Sequence, residues 1–346
     1  MNGINIPIYL KVDTEIFNKI KNHLNEEQLD LTKVLIVSGL NQTAKLAEQV
    51  YNQLRKSLNV THLQIEENTI ENVTKINEKI ILEEYSTVIA IGGGKVLDVC
   101  KYAAYTSRID LVCVPTTLAH DGIASPIAVL KIGEEVRSLG CGVPKSVLID
   151  LDIIRKSPIE SRKSGVGDIL SNITAIYDWK LSSKATNEEI SEFSLMLSEI
   201  AYSSIVNHRC RDLDNMDFLY DLSKSIILSG LSMEISGSSR PCSGSEHLFS
   251  HALDIYGETK LPHGIQVAVG SVMSSYIQKQ NFEEQINFLK EFNIPYSPLS
   301  AGISDKVALT AWMNAKSTRK GRYTVLDAID YDKEYFMNII QEINKY

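Results

Sequence analysis

The first 150 residues alternate short apolar runs with amphipathic stretches, and this alternation limits the fold more than any other feature. Apolar runs bounded by polar residues predict buried strands at 33–37, 62–65, 87–91 and 111–114. Helical periodicity predicts helices between them, over 41–58, 70–84 and 97–106. Strand–helix–strand repetition of this kind indicates a parallel sheet covered on both faces. Further short strands are expected at 127–131, 136–139 and 147–150.

The pattern changes near Asp150. From residue 153 onwards the sequence has almost no strand pattern, and its apolar residues recur with helical spacing. The predicted helices are 164–182, 187–209, 216–234, 246–256, 265–279, 280–292, 304–314 and 333–344. We therefore predict two domains: an α/β domain with a parallel, Rossmann-like sheet over residues 1–152, and an all-α domain over 153–346.

Composition narrows the functional class. The net charge of −8 argues against a general nucleic-acid or anionic-membrane surface, and no apolar run approaches the length of a membrane span. We expect no nucleic-acid partner and no membrane partner. The five cysteines are scattered without a CxxC pair, and no leader sequence is evident. This odd number predicts reduced thiols and a cytoplasmic location.

A glycine turn follows the third predicted strand, where Gly92, Gly93 and Gly94 lead into a helix. Glycines at this place permit positive φ and let a pyrophosphate approach the backbone near a helix N-terminus. The run departs from the GxGxxG fingerprint, and by itself it could be a tight turn. Polar residues also follow the next strand, and carboxyl ends of parallel strands bind ligands in open α/β sheets. The polar residues of this predicted nucleotide cleft are Asp98, Thr116, Thr117, His120, Asp121 and Ser125.

Three of the seven histidines lie within residues 240–263. His247 and His251 are four residues apart, so a helix places them on one face, and His263 follows a turn. Any one of them alone is more often a hydrogen-bonded core or surface histidine. Together with a carboxylate they predict a metal site, and Asp168 offers one, unless it merely caps a helix. Three protein ligands with an open position are typical of catalytic zinc.

Four segments resemble the superfamily of metal-dependent polyol dehydrogenases and dehydroquinate synthases. They are IGGGKVLDVCKYAAY (91–105), VPTTLAHDGIASP (114–126), SGVGDILSNITAIYDW (164–179) and SSRPCSGSEHLFSHALD (238–254). Within that superfamily the closest resemblance is to the glycerol-1-phosphate dehydrogenases. It implies a dehydroquinate synthase-like fold, with a dinucleotide-binding domain over 1–152 and a metal- and substrate-binding domain over 153–346. It also implies an active site in the cleft between the two halves.

The resemblance also implies roles for individual residues. Asp168, His247 and His263 match the metal ligands of the family. Asp121 matches a residue near the nicotinamide and the substrate hydroxyls, and His251 becomes a candidate for substrate contact or proton transfer. The positions that match the surroundings of the dinucleotide are Gly93, Gly94, Asp98, Thr116, Thr117 and Ser125.

Arg240 is the candidate phosphate contact, because it lies seven residues before His247, as does a phosphate-contacting arginine of dehydroquinate synthases. An arginine fork suits phosphate oxygens. The alternative is that Arg240 pairs with a nearby acid. The basic run at 316–322 is expected to be a solvated loop, with a phosphate role as the lesser alternative.

Two departures from the family pattern affect specificity. Residues 261–267 read LPHGIQV, where the family usually has a sequence resembling LHGEQV, and the missing glutamate leaves the substrate open. The first predicted strand ends at Ser38-Gly39 without the aspartate that many relatives carry there. An acid at this place bonds the ribose 2′-hydroxyl and repels a 2′-phosphate. Its absence predicts that NADP is accepted, alongside NAD.

The expected function is a metal-dependent interconversion of dihydroxyacetone phosphate and sn-glycerol 1-phosphate by hydride transfer, with NAD or NADP. One divalent ion is expected, with zinc preferred, and nickel and iron suit the same ligands. The alternatives are a dehydrogenase of an unphosphorylated polyol such as glycerol, a dehydroquinate-synthase-like lyase, and a metal-binding protein without catalysis. A homo-oligomer is also expected.

Overall fold

The computed structural model describes residues 5–26, 28–257 and 259–346. The chain divides into two compact units, Met1–Pro158 and Ile159–Tyr346. This division falls slightly beyond residue 152, the predicted end of the first domain. A short helix, Leu151–Lys156, accounts for the difference, because it follows directly from the last strand. The Asp150 carboxylate caps it by accepting the backbone N–H groups of Asp152 and Ile153.

The first unit contains a six-stranded sheet in which every pair is parallel. Its strands are β1 (Tyr9–Asp13), β2 (Lys33–Ser38), β3 (Asn59–Gln64), β4 (Thr87–Gly92), β5 (Asp110–Pro115) and β8 (Ser146–Asp150), in the order β1-β8-β5-β4-β2-β3. The connection from β2 runs outward to β3, and the connection from β4 runs the other way to β5. The carboxyl ends of β2 and β4 therefore form a topological switch point, where open α/β sheets bind ligands.

The two strands β6 (Ile127–Ile132) and β7 (Glu135–Gly140) form a separate antiparallel hairpin. Sequence analysis predicted both strands but not their separation from the main sheet. It did not predict β1, in which lysine and aspartate alternate with apolar residues, and no residue of which is fully buried. An edge strand of this kind carries too weak a pattern to be recognised.

Five helices complete the first unit: α1 (Ile20–Glu26), α2 (Gln42–Leu54), α3 (Ile70–Glu83), α4 (Gly94–Ser107) and α5 (Leu151–Lys156). Alternate strand residues such as Ile36, Ile89 and Val112 pack in one core with Ile20 and Val50 of the helices. The predicted helices correspond to α2, α3 and α4. The first of these three ends four residues early, and α4 begins directly at the glycine turn.

The second unit is helical throughout its described residues. Its helices are α6 (Ile159–Leu170), α7 (Asn172–Thr186), α8 (Glu192–Val206), α9 (Met216–Ser236), α10 (Ser245–Tyr256), α11 (His263–Ile277), α12 (Phe282–Glu291), α13 (Asp305–Ala315), α14 (Val325–Ala328) and α15 (Lys333–Ile343). The predicted helix 164–182 is helical but divided between α6 and α7 at Ser171, whose hydroxyl bonds the Asp168 carbonyl oxygen. Across the described ranges, no helix combines the length and the apolarity that a bilayer crossing needs.

Helices α6 and α11 touch backbone to backbone at two glycines. A Cβ on Gly264 would lie 1.9 Å from the Ser164 carbonyl oxygen, and one on Gly167 would lie 2.3 Å from the Gly264 carbonyl oxygen. The Gly264 N–H, at the start of α11, donates to the Ser164 hydroxyl at 3.0 Å. Only glycine permits this approach, which brings the residues next to each glycine, Asp168 and His263, to one place.

We predict that Gly264→Ala lowers the free energy of unfolding by about 1–3 kcal/mol or more, because the methyl group must push α6 and α11 apart. Within an unconstrained helix, glycine to alanine raises the free energy of unfolding by about 0.5–1 kcal/mol. A decrease in Gly264→Ala would therefore show that the close helix contact determines the result. Denaturant unfolding of both proteins measures the difference. Gly140→Ala is the control, because nothing lies within 4 Å of a Cβ there. Equal stabilities for Gly264→Ala and the parent would contradict the prediction.

Candidate metal and cofactor sites

Three side chains from three helices of the second unit converge. Asp168 comes from α6, His247 from the first turn of α10, and His263 is the first residue of α11. One ligand atom from each lies within 4.8 Å of the other two, and the sequence had singled out these three residues. The Asp168 Oδ1 atom is 3.8 Å from His247 Nε2 and 3.7 Å from His263 Nε2.

This donor set fits a divalent metal ion. Two donors that share a tetrahedral ion, each about 2.0–2.1 Å from it, lie about 3.3 Å apart. The observed separations exceed this by only a few tenths of an ångström. One carboxylate and two imidazoles would leave an open coordination position. The same set suits zinc, nickel and iron, so the chemistry of the ligands does not select among them.

Hydrogen bonds fix the orientation of both imidazoles. The Glu246 carboxylate accepts from His247 Nδ1 at 2.9 Å, and the Ser250 hydroxyl lies 3.2 Å from His263 Nδ1. Ser250 in turn donates to the Gln266 side-chain oxygen. Each ring therefore directs its Nε2 lone pair toward Asp168, as metal-binding histidines do. Sequence analysis missed Glu246, Ser250 and Gln266, because adjacency to a ligand says nothing about which way a side chain points.

A buried pair of carboxyl groups supports the start of α10. Asp178 of α7 accepts the backbone N–H groups of Ser245 and Val325, and Glu246 accepts the Gly244 N–H and the Thr174 hydroxyl. Burial raises the pKa of each carboxyl group to about 7, and for Asp178 the charge of Glu246 adds to the effect. These bonds attach the metal-binding turn of α10 to the neighbouring helix α7.

His251 lies one helical turn beyond His247 and outside the metal triad. Its ring centroid is 6.5 Å from that of His247, whereas the His247 and His263 centroids are 5.2 Å apart. Burial, followed by the electrostatic effects of His247, His263 and two arginines, lowers the pKa of His251 to about 3. The structure thus separates His251 from the ligands, as expected for a substrate contact.

Arg240 is fully engaged with protein groups. Its Nε donates to Glu188 Oε1 at 2.8 Å and its Nη2 lies 2.7 Å from Glu188 Oε2, while Nη1 donates to the Tyr323 carbonyl oxygen. The Arg240 side chain is 5% exposed. This arrangement does not favour the predicted phosphate contact, because the fork that would bind phosphate binds Glu188. The alternative, that Arg240 pairs with an acid, is what the structure shows.

Most of the basic run at 316–322 is exposed, as the sequence suggested, but its last residue is not. Arg322 is buried at 8% exposure, and its two terminal nitrogens donate to the Ser243 carbonyl oxygen and the Ser239 hydroxyl, each at 2.8 Å. Arg319 donates to the same Ser239 hydroxyl at 2.8 Å. Charge counting alone could not show that this run folds back against the segment leading into α10.

In the first unit, the glycine turn forms the link between β4 and α4. None of its glycines has positive φ, so that part of the reasoning was wrong. Close approach is the actual constraint, because a Cβ on Gly94 would lie 2.6 Å from His120 Nε2. Gly93 stands at the N-cap and provides no side-chain cap for the helix. The first backbone N–H groups of α4 therefore fit a pyrophosphate at the switch point.

Asp98 supports this region from the interior of the first unit. It is 5% exposed, and its carboxylate lies 3.0 Å from the Lys101 ammonium group, which is wholly buried. Lys101 also donates to the carbonyl oxygens of Gly122 and Ile127. The prediction that Asp98 contacts the cofactor stays a prediction, and its carboxylate pairs with the lysine that holds the segment carrying Asp121 and Ser125.

The remaining predicted cofactor residues follow β5. Thr116 and Ser125 are buried, whereas Thr117 and Asp121 are partly exposed. Asp121 begins a short 3₁₀ turn that His120 caps, with His120 Nδ1 accepting the Gly122 N–H at 3.0 Å. The residues beside the glycine turn are thus Thr117, whose hydroxyl would lie 3.2 Å from a Cβ on Gly93, and His120. The contact of His120 with Gly94 was not predicted.

Comparison with known proteins agrees with this arrangement. Residues 11–158 match the family model described as iron-containing alcohol dehydrogenase. A glycerol-1-phosphate dehydrogenase [NAD(P)+] of Metallosphaera sedula is 32% identical, over 93% of this chain and 92% of that protein. The corresponding protein of Pyrococcus abyssi is 36% identical, over 82% of this chain and 83% of its own length. The fold resembles a probable glycerol dehydrogenase of Sinorhizobium meliloti, with a TM-score of 0.80, 17% identity, and 100% and 98% of the two chains covered.

The parallel sheet with its glycine turn and the Asp/His₂ triad on helices define the class of metal-dependent NAD(P)-linked dehydrogenases related to iron-containing alcohol dehydrogenases. Sequence identity over nearly the whole chain identifies the family within this class of dehydrogenases. The chain belongs to the glycerol-1-phosphate dehydrogenase family, and it is an oxidoreductase.

The geometry predicts that the histidines of the cluster are not equivalent. We expect His247→Ala and His263→Ala to weaken metal binding at least about 10- to 100-fold, the cost of losing even an outer-shell partner of a metal ligand. His251→Ala is the matched control and should retain the metal, because its ring lies outside the triad. Metal content by mass spectrometry after dialysis measures all three. Equal metal loss in His251→Ala would contradict the assignment.

Proposed function

We propose that this protein interconverts dihydroxyacetone phosphate and sn-glycerol 1-phosphate with a nicotinamide cofactor. The observation that carries the proposal is the Asp168–His247–His263 triad, present in a chain that belongs to the glycerol-1-phosphate dehydrogenase family. In the reducing direction, the carbonyl carbon gains a hydride and its oxygen gains a proton. The nicotinamide, when bound, supplies the hydride. A divalent metal ion, when bound, supplies a Lewis acid for the carbonyl oxygen.

The residues of the second unit bind and orient the substrate in this proposal. Asp168, His247 and His263 hold the metal, with Glu246 and Ser250 fixing the two rings. His251, one turn further along the same face of α10, contacts a substrate hydroxyl group. This contact helps to fix which face of the carbonyl receives the hydride, because the metal, the hydroxyl contact and a contact to the phosphate together hold the ketone at three points.

The residues of the first unit bind the dinucleotide. Gly93 and Gly94 keep side chains away from the α4 N-terminus, so that the pyrophosphate can reach its backbone N–H groups. Thr116, Thr117 and Ser125 complete the surroundings of the cofactor, and Asp121 lies by the nicotinamide and the substrate hydroxyls. Asp98 and Lys101 hold this segment in place from the interior.

A comparison of substrates tests the proposal. We expect kcat/KM for dihydroxyacetone phosphate to exceed that for dihydroxyacetone by at least about 100-fold, since each charge-assisted contact to the phosphate contributes about 1.5–3 kcal/mol. NAD(P)H oxidation followed by absorbance measures both, with the metal content determined on the same sample. A preference for dihydroxyacetone or glycerol would indicate a dehydrogenase of unphosphorylated polyols. Cofactor binding without net NAD(P)H turnover would indicate a lyase.

We propose that NADP is used as well as NAD, on the basis of the residues at the end of β2. The Ser38 hydroxyl donates to the Gly39 carbonyl oxygen and lies 2.8 Å from His62 Nε2. A neutral serine and a glycine thus stand where an acid would repel the 2′-phosphate of NADP.

We predict that Gly39→Asp reduces kcat/KM for NADPH on the order of tenfold while leaving NADH nearly unchanged, because the new carboxylate faces the ribose. The substituted residue displaces only the Thr43 hydroxyl, which would lie 2.7 Å from the new Cβ. Gly39→Asn is the matched control, having the same size without the charge. Strict NAD dependence of the parent protein would refute the proposal that NADP is accepted.

We also propose a cytoplasmic location and zinc as the metal. All five cysteines are free thiols, three of them buried, which fits a reducing compartment. Three protein ligands with an open position are typical of catalytic zinc, although the ligand set by itself also suits nickel and iron. The expected homo-oligomer stays a prediction.

A further inference from the structure

Two arginines near α10, Arg319 and Arg322, form no direct ion pair among the described residues, although the charges of Glu188 and Glu246 act on Arg322 from further away. Within the described residues, no aspartate or glutamate lies at ion-pair distance from Arg319 or Arg322. Their hydrogen-bond acceptors are neutral, namely the Ser239 hydroxyl and the Ser243 carbonyl oxygen. Arg240, by contrast, is neutralised by a two-point contact with Glu188.

The two guanidinium groups are forced close together. Both donate to the single Ser239 hydroxyl, so their nitrogens lie within two hydrogen-bond lengths of each other. Burial, followed by the charges of Arg319 and Arg240, lowers the pKa of Arg322 to about 9. Two guanidinium groups at this distance repel each other, and one of them is buried, so the arrangement costs free energy unless an anion binds between them.

The arginine pair lies on the same side of the unit as the metal triad. Arg322 bonds the carbonyl oxygen of Ser243, two residues before α10 begins, and His247 lies in the first turn of that helix. The charges of both arginines contribute to the lowered pKa of His247 and of His251. The 3₁₀ turn Lys316–Thr318, which precedes Arg319, packs against α10.

The position of the arginine pair near the first turn of α10 suits a small phosphorylated ketone. In dihydroxyacetone phosphate, one methylene and one ester oxygen separate the carbonyl from the phosphoryl group. When the carbonyl of this substrate is bound at the metal triad, its phosphate therefore lies only a short distance away along α10. Planar guanidinium forks match phosphate oxygens. Each guanidinium has five N–H donors, so Arg319 and Arg322 keep donors beyond their bonds to Ser239 and Ser243, and these bonds, unlike those of Arg240, are to neutral acceptors.

We propose that Arg319 and Arg322, and not Arg240, bind the phosphate group of the substrate and so select phosphorylated over unphosphorylated ketones. Ser239 holds the two forks at a fixed separation, and Arg240 is a structural residue that anchors the Tyr323 backbone beside them. This inference rests on the proposed function, because it assigns residues to the phosphate that the proposed substrate carries.

Arg319→Gln is the decisive variant. Arg319 is exposed, and among the described residues its side chain hydrogen-bonds to Ser239 alone, so its loss should not unfold the protein. We expect kcat/KM for dihydroxyacetone phosphate to fall about 10- to 100-fold, with activity on dihydroxyacetone changed less than about twofold. The KM for NADPH should be unchanged, which distinguishes substrate phosphate from cofactor phosphate. Lys320→Gln, one residue away and exposed, removes the same charge and should change none of these values.

Inorganic phosphate provides a readout that does not depend on turnover of the poor substrate. It should inhibit the parent enzyme competitively against dihydroxyacetone phosphate, and at least about tenfold more weakly in Arg319→Gln. Arg322→Lys, which keeps the charge but loses the fork, should give an intermediate effect. Arg240→Gln should lower the melting temperature while the ratio of the two substrates' kcat/KM values stays close to that of the parent.

The outcomes separate the two proposals. If the parent enzyme does not prefer the phosphorylated ketone, the proposed function fails. If the parent prefers it but Arg319→Gln keeps both the preference and the phosphate inhibition, the function stands and the arginine assignment is overturned. If a folded Arg240→Gln variant loses the preference for the phosphorylated ketone while Arg319→Gln keeps it, Arg240 and not the arginine pair binds the phosphate.

Discussion

The backbone contact between α6 and α11 at Gly167 and Gly264 is the constraint on which the second unit depends. Two helices that meet at side-chain distance keep their axes well apart, whereas two glycines let carbonyl oxygens approach the opposite backbone. Asp168 and His263 each stand next to one of these glycines, so the contact sets the distance between two metal ligands. The third ligand arrives on α10, whose start is bonded to α7 through Asp178 and Glu246. The metal site is thus a consequence of helix packing, and its ligands need no flexible loop to bring them together.

The first unit reaches a comparable arrangement by different means. Its sheet order creates a switch point at the ends of β2 and β4, and the glycine turn leaves the start of α4 without side-chain caps. The segment after β5 is held from the interior by the buried Asp98–Lys101 ion pair. Lys101 donates to the carbonyl oxygens of Gly122 and Ile127 in that segment. A buried lysine is tolerated here since its three donors all find oxygen acceptors.

Sequence analysis predicted the elements that carry strong local patterns and the ligands that stand in specific motifs. The buried strands, the change to helices after Asp150 and the triad all follow from spacing or from the resemblance to a known family. What the sequence left unknown has a common cause, which is that a residue's type does not reveal its partner. Arg240 and Asp98 were assigned to ligands, but each is used by an internal counter-charge, Glu188 and Lys101 respectively. Arg322 was assigned to solvent, although it is buried, because the return of residues 316–322 to α10 is a long-range contact with no local signal.

The arginine pair and the metal triad are electrostatically compatible, although both concentrate charge in one region. A metal ligand must present a neutral imidazole, and burial together with the charges of His263, Arg322 and Arg319 lowers the pKa of His247 well below its usual range. The cations therefore oppose protonation of the ring, which would compete with the metal. They would also repel a bound cation, but the Asp168 carboxylate stands between the two histidines and offsets that repulsion. A phosphate held by Arg319 and Arg322 would neutralise their charge at the moment the substrate's carbonyl needs to approach the metal. The region thus combines a negative ligand for the metal with a positive contact for the phosphate, and each is matched to one end of a phosphorylated ketone.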